Sequence, residues 1–172
     1  MSVVADASPL HYLVLIEQIV VLPLLYGQVI IPAVVCEELQ RLQTPESVRR
    51  WIASPPPWLY IRPSQEENDP ELSRLGAGER YAILLAQAIG ADILLIDDRH
   101  GRRAARSRAL RVLGTLGILD AAAARGLLDF PAALIRLQAT NFRVAPEIVQ
   151  TLLARDAARK HQQEGSDETE KA

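Results

Sequence analysis

Ile93-Leu94-Leu95-Ile96-Asp97-Asp98 carries the strongest fold signal in this chain. Four consecutive aliphatic residues ended by two acids are typical of a strand buried on both faces, as strands in parallel sheets are. Helical spacing is found before it, over Gly78–Ile89, and after it, over Arg99–Ser107. Strands that alternate with helices predict a parallel sheet with helices on both faces. Functional sites of such sheets lie at the carboxyl ends of strands, which is where Asp97 and Asp98 are expected.

The same alternation continues through the rest of the chain. Further strands are predicted at Val3–Ala5, Gln28–Ile31, Leu59–Arg62 and Leu110–Leu113. Further helices are predicted at Leu10–Ile16, Pro32–Leu42, Pro45–Ala53, Ile118–Arg125 and Pro131–Gln138, and a second short apolar segment lies around Val20–Tyr26. Ser8 is the predicted N-cap of the first helix, and Pro9 its first helical residue. We expect one domain over 1–145, a C-terminal helix over 146–159 and a disordered polar tail over 160–172, with a polar loop over Pro63–Glu71.

Composition narrows the class of protein further. The 172 residues suit a single domain with a sizeable core of its own, and the apolar runs are too short or too interrupted to span a membrane. The N-terminus has no basic segment before an apolar stretch, so no secretory signal is predicted. A single cysteine, Cys36, excludes an intramolecular disulfide framework and indicates a cytoplasmic protein.

Acidic residues stand at positions where packing alone would place apolar ones. Asp6 follows the short buried strand at the N-terminus, and Glu38 falls within the apolar arc of its helix. Glu79 follows Gly76-Ala77-Gly78 in the first turn of the next predicted helix. Carboxylates that converge repel one another unless a divalent cation neutralises them. A metal-dependent hydrolase is therefore the first hypothesis.

Each acid also has a purely structural alternative. Asp6 would be part of a turn before the first helix, and Glu38 would sit partly exposed at the edge of the apolar stripe. Glu79 would stabilise the start of its helix through the helix dipole. Asp98 would be the N-cap of the helix that follows it. One of Asp97 and Asp98 is expected to face the site, with Asp98 preferred.

Arginines cluster directly after these two acids. Six of them lie between Arg99 and Arg111, although the net charge of the whole chain is only −2. Four recur at helical spacing and give one basic face near the acids: Arg99, Arg102, Arg103 and Arg106. Guanidinium groups bind phosphate with a planar fork, so this face predicts contacts to a nucleic-acid backbone. The alternative is an ordinary solvated helix face.

In order along the chain, four motifs resemble the PIN-domain nucleases. They are Val-Val-Ala-Asp6-Ala-Ser-Pro, Ile-Pro-Ala-Val-Val-Cys-Glu37-Glu38-Leu, Gly-Ala-Gly-Glu79-Arg-Tyr-Ala-Ile and Leu-Leu-Ile-Asp97-Asp98-Arg. Together with the segment around Thr115, they are most similar to a prokaryotic branch related to the VapC-type toxins. The resemblance covers roughly residues 2–140 and implies a PIN-like α/β/α sandwich with a central parallel sheet.

The resemblance also implies an activity. It assigns the acids of the site to Asp6, Glu38, Glu79 and either Asp97 or Asp98, and Ser8 becomes a contact to the nucleic acid. Many members have Asp where this chain has Glu79. The implied chemistry is hydrolysis of phosphodiesters in single-stranded RNA, assisted by Mg²⁺ or Mn²⁺, which prefer oxygen ligands. The direct ligands favoured are Asp6 and Asp98.

Partners and competing functions follow from the same comparison. The implied partners are RNA, a cognate antitoxin if the chain is the toxin of a toxin–antitoxin pair, and a second copy of the chain in a homodimer. The alternative function is a PIN-like module that binds RNA or protein without cleaving. It is favoured by Ile96, which stands where the toxins commonly have Ser or Thr before the last acid. A phosphoacceptor domain is disfavoured because it would need a lysine near a late strand, and the first lysine is Lys160.

Overall fold

A computed structural model describes the protein over residues 1–64 and 69–170, with side chains described up to Gln162. The chain divides into two compact units, Met1–Ile118 and Leu119–Ala172. This boundary differs from the predicted one at residue 145, and the functional division of the chain stays a prediction. No helix within the described residues is both long enough and apolar enough to cross a membrane.

The first unit is built on a parallel sheet of five strands in the order β3-β2-β1-β4-β5. The strands are β1 (Val3–Ala5), β2 (Val29–Pro32), β3 (Leu59–Arg62), β4 (Ile93–Leu95) and β5 (Val112–Leu113). Each corresponds to a predicted strand, and the predicted α/β/α sandwich is confirmed. Because β1 is the central strand, its carboxyl end lies in the middle of the row of carboxyl strand ends, which is called the carboxyl edge of the sheet below.

The strands are apolar on both faces because both faces are covered. Val4 and Leu94 belong to a core cluster with Ala82 and Ile83 of the helix before β4. Val3 and Leu95 point to the other side of the sheet and are also fully buried. The uninterrupted aliphatic runs in the sequence therefore reflect a two-sided core.

Helices of the first unit connect successive strands. They are α1 (Ala7–Leu15), α2 (Val21–Tyr26), α3 (Ala33–Leu39), α4 (Glu46–Ala53), α5 (Ala77–Ala88) and α6 (Arg99–Ser107), and α7 (Thr115–Ala124) contains the unit boundary. Part of the predicted polar loop, residues 65–68, lies outside the described residues. A short 3₁₀ turn occupies Pro70–Leu72, with the Asp69 side chain accepting from the Glu71 N–H.

One predicted helix start is wrong. Helix α1 begins at Ala7, and its N-cap is Asp6, not Ser8. The Asp6 N–H still donates to the Leu95 carbonyl at 2.9 Å, so the strand pairing continues through Asp6 and the helix starts immediately after it. Ser8 therefore lies in the first turn, half-buried.

The second unit contains α8 (Phe130–Gln138) and α9 (Pro146–Glu170). The backbone is helical to Glu170, beyond the predicted helix end at Arg159, and the predicted disorder of the tail stays a prediction. Alanine, glutamine and lysine around Arg159 have high helix propensity, which favours continuation. Residues 171–172 of the predicted tail lie outside the described residues.

A buried ion network fixes α9 within this unit. Arg159 donates to Asp120 at 2.7 Å and to Asp156 at 3.1 Å, and both acids are buried. Lys160 bonds Asp129 at 3.0 Å.

Candidate functional site

The carboxyl edge of the sheet brings the predicted acids into one region. Asp6 directly follows β1, and Asp97 and Asp98 follow β4 after one more buried residue. Because β1 and β4 pair in parallel with Ala5 opposite Leu95, both chain segments leave the sheet side by side. Helix α5 packs against both strands, so its first turn carries Glu79 to the same edge.

Asp6 and Glu38 meet at Gly78. A Cβ atom on Gly78 would lie 2.5 Å from Oε2 of Glu38 and 3.0 Å from Oδ1 of Asp6. A side chain at this position would force the Glu38 carboxylate to shift away from Asp6. Glu38 is half-buried on α3, whereas its neighbour Glu37 is exposed, as the apolar arc of the helix predicts. Two acids 32 positions apart in sequence therefore lie next to each other.

Asp6 is the most perturbed of these acids. Its side chain is 3% exposed. Burial, together with the charges of Glu79 and Glu38, raises the pKa of Asp6 from 3.8 to about 7, while the N–H groups of Ala7 and Ser8 act in the opposite direction. A buried carboxyl group that titrates near neutrality is characteristic of functional sites.

Glu79 is turned toward its own helix. Its Oε2 accepts from the Gly76 N–H at 2.8 Å in a capping-box arrangement, as the structural alternative predicted. Burial raises the pKa of Glu79, the Gly76 bond lowers it, and the charges of Asp98 and Glu38 raise it further. Glu79 thus lies between the Asp6–Glu38 pair and the acids after β4.

The two acids after β4 have different surroundings. Asp98 is the N-cap of α6, with Oδ1 accepting from the Gly101 N–H at 2.7 Å. Asp97 is held by Thr115, whose N–H and Oγ1 donate to it at 2.7 and 2.6 Å. Burial raises the pKa of Asp97, although the Thr115 bonds and the charge of Arg102 lower it. Of these two acids, Asp98 is the one whose charge raises the pKa of Glu79.

The predicted basic face of α6 is present but not uniform. Arg99, Arg103 and Arg106 are exposed, and none of them makes an ion pair within the described residues. Arg102 is half-buried, and its Nη1 lies 3.4 Å from where a Cβ of Gly114 would be. Three guanidinium groups thus remain available for phosphates beside the acids.

Comparison with known proteins agrees with this geometry. The family model described as PIN domain matches residues 2–157. The chain belongs to the PIN-domain family. PIN domains are generally nucleases, bind nucleic acid and typically use divalent metals. No curated protein matches the chain at a significant level.

The acids of this PIN domain offer oxygen ligands of the kind that a divalent cation requires. Carboxylate oxygens are the ligands that Mg²⁺ and Mn²⁺ prefer, so the donor chemistry fits. Across the described side chains of residues 1–64 and 69–162, however, no three acidic, histidine or cysteine residues form a metal-ligating group. Amide N–H groups at helix starts hold Glu79 and Asp98, so the four acids do not form one ligand group here, and their joint use in a cation site stays a prediction. Asp6 and Glu38 are the pair that meets.

Sequence reasoning missed three contributors to this region. Thr115 fixes Asp97, Gly78 admits the acid pair, and the charge of His100 lowers the pKa of Glu79. For Thr115 a signal existed, since Gly-Thr follows a predicted strand and so falls at the carboxyl edge of the sheet. The contact itself depends on β5 pairing with β4, which local sequence does not encode.

Proposed function

We propose that this PIN domain is an endoribonuclease that hydrolyses phosphodiester bonds of single-stranded RNA with Mg²⁺ or Mn²⁺. The observation that carries the proposal is the meeting of Asp6 and Glu38 at Gly78, at the carboxyl edge of a parallel sheet. Two carboxylates beside the same glycine, one of them buried with a pKa near 7, are costly for stability. A function that uses them explains why they are kept together.

In this proposal Asp6 and Glu38 hold the cation, and Asp98 and Glu79 complete its surroundings directly or through water. The bound cation would lower the pKa of the attacking water and neutralise charge on the phosphate. Asp6 must lose its proton before it can bind a cation, so binding weakens below about pH 7. Asp97 is a positioning residue, since both its oxygens bond Thr115 and it directly precedes Asp98.

Substrate binding is assigned to the exposed arginines of α6. Arg99, Arg103 and Arg106 follow Asp98, so a phosphate bound to them would place the RNA backbone beside the acids. Ser8, half-buried in the first turn of α1, would add a contact on the other side of Asp6. Contacts to the backbone bind without reading sequence.

The second candidate function is an RNA- or protein-binding module without cleavage. It is favoured by the bonds that hold Glu79 and Asp98 to the Gly76 and Gly101 N–H groups, since a ligand role requires both to exchange partners. The predicted homodimer is supported by two exposed apolar side chains. They are Val20, the residue before α2, and Leu24, within α2. A toxin role rests on the sequence resemblance and would be supported by a neighbouring gene for a small antitoxin.

Adjacent glutamates on α3 provide a matched test. Glu38→Gln removes a charge from the acid pair, and Glu37→Gln removes one from the exposed face of the same helix. We expect Glu38→Gln to reduce cleavage of a mixed single-stranded RNA in Mn²⁺ at least about a hundredfold, as loss of a group that stabilises transition-state charge does. Glu37→Gln should cleave like wild type. A chelator should stop cleavage by wild type and by Glu37→Gln.

Two outcomes would count against the proposal. Equal cleavage by wild type and Glu38→Gln would place the activity elsewhere or in a contaminant. RNA binding without cleavage by the wild type would favour the binding module.

A further inference from the structure

A cavity of about 260 Å³ lies between α5 and the ends of β2 and β3. One wall is apolar and comes from Leu84 and Leu85 of α5 and from Ile89, the C-cap of that helix. The rings of Pro32 and Pro63 also line it. Its volume is at the small end for ligand pockets, so it suits one compact group and not an extended ligand.

Three polar side chains line the same cavity: Arg62, Ser64 and Tyr81. The Ser64 Oγ accepts from the Val34 N–H at 3.2 Å, which fixes the hydroxyl while its own proton can still be donated. The Arg80 guanidinium lies 5.4 Å from the centroid of the Tyr81 ring, so that ring also has a fixed neighbour. Apolar walls with a few fixed donors and acceptors match the two properties of a nucleobase, a flat apolar face and a polar edge.

The cavity lies along the same sheet edge as the acid pair. Pro32 pairs with Arg62 across β2 and β3. Val4 pairs with Ile30 in parallel, so Asp6 is level with Pro32 on the neighbouring strand. Strands are about 4.8 Å apart, which puts the Arg62 backbone roughly 10 Å from that of Asp6. An RNA strand bound at Asp6 can reach this distance with a neighbouring nucleotide.

We propose that this cavity is a base-binding subsite, which takes one unpaired base of the RNA strand next to the phosphodiester bond at the acid pair. The proposal rests on the proposed nuclease function and adds a specificity element to it. The base lies against Leu84, Leu85 and the proline rings, with its polar edge toward Ser64 and Tyr81. Arg62, exposed at the end of the edge strand, contacts the adjoining phosphate.

Binding can be measured independently of cleavage. Fluorescence anisotropy with a labelled single-stranded oligoribonucleotide, in a chelator, reports the affinity of the full chain for RNA. The comparison is with the same oligonucleotide carrying base-free riboses. Ala88→Phe fills the cavity from an exposed helical position, and Ala53→Phe is the matched control on α4 at an exposed alanine that does not line the cavity.

We expect wild type to bind the base-containing oligonucleotide about tenfold more tightly than the base-free one, because one apolar base face is removed from water against aliphatic side chains. Ala88→Phe should lose most of that difference and leave the affinity for the base-free oligonucleotide unchanged, while Ala53→Phe behaves like wild type. Arg62→Gln should weaken both oligonucleotides alike, because it acts on the phosphate.

Three results would overturn the proposal. Unchanged binding of the base-containing oligonucleotide by Ala88→Phe would exclude the cavity as a base site. Equal binding of both oligonucleotides by wild type would exclude base recognition altogether. If wild type binds neither, the proposal and the nucleic-acid function beneath it both fail. Base-dependent binding without cleavage in Mn²⁺ would instead leave the subsite standing and refute the nuclease alone.

Discussion

Replacing Asp6 by Asn should change how the stability of the protein depends on pH. The native pKa of Asp6 is about 7 and its reference value is 3.8. Between these two values the folded protein binds more protons than the unfolded chain, so its stability falls as pH rises. Above pH 7 the loss is complete, and below about pH 4 it is absent. Asparagine does not titrate, so the variant lacks this component.

The size of the effect follows from the same two values. A tenfold change in an ionisation constant is worth about 1.4 kcal/mol, so the change from 3.8 to about 7 corresponds to about 4 kcal/mol. Asp6 is buried, so solvent screening reduces this little. The free-energy difference between Asp6→Asn and wild type should therefore shift by about 3 kcal/mol in favour of the variant between pH 4.5 and pH 8, since the rest of the change falls below pH 4.5.

Urea unfolding at the two pH values, in a chelator, measures this shift. Any constant cost of the amide group cancels when the two pH values are compared. Glu37→Gln, at an exposed position, is the control and should show no comparable shift. A difference between Asp6→Asn and wild type that is the same at both pH values would refute the reasoning, because Asp6 would then titrate as it does in water.

Three further predictions follow from the contacts around the site. Gly78→Ala should abolish stabilisation of the protein by Mn²⁺ in thermal unfolding, because the new Cβ displaces a carboxylate; an unchanged Mn²⁺ effect would mean that the acid pair does not bind the cation. Thr115→Val should lower the free energy of unfolding by about 1–3 kcal/mol, since it removes the hydroxyl bond to buried Asp97; Thr115→Ser should retain most of it, and equal loss in both would assign the effect to packing. Replacing Arg99 or Arg103 by Gln should make the salt dependence of RNA binding shallower by about 0.7 in a plot of log affinity against log salt concentration; an unchanged slope would exclude that arginine as a phosphate contact.

The sequence was sufficient for the architecture because burial leaves a strong local signal. Ile93-Leu94-Leu95-Ile96 could only be a strand covered on both faces, and the chain places it beside β1 with α5 against it. The apolar arc of α3 likewise separated Glu38 from Glu37, and the structure gives the two residues the expected burial.

Details that depend on which segments meet could not be read locally. Asp6 rather than Ser8 begins α1 because the Asp6 N–H bonds the Leu95 carbonyl, 89 residues away. The hydrogen bond from Thr115 to Asp97 forms only because β4 pairs with β5. Glu79 and Asp98 can either bond the N–H groups at a helix start or face the site. Which of the two they do depends on side-chain placement, which the sequence leaves open.

Calorimetric titration with Mn²⁺ tests most directly whether the acid pair is a cation site. Wild type at pH 7 should bind Mn²⁺ with release of roughly half a proton per ion, because Asp6 is about half protonated at that pH. Asp6→Asn and Glu38→Gln should each bind at least about tenfold more weakly, as loss of one charged oxygen ligand requires, while Glu37→Gln should match wild type. Equal Mn²⁺ affinity in wild type, Asp6→Asn and Glu38→Gln would contradict the account.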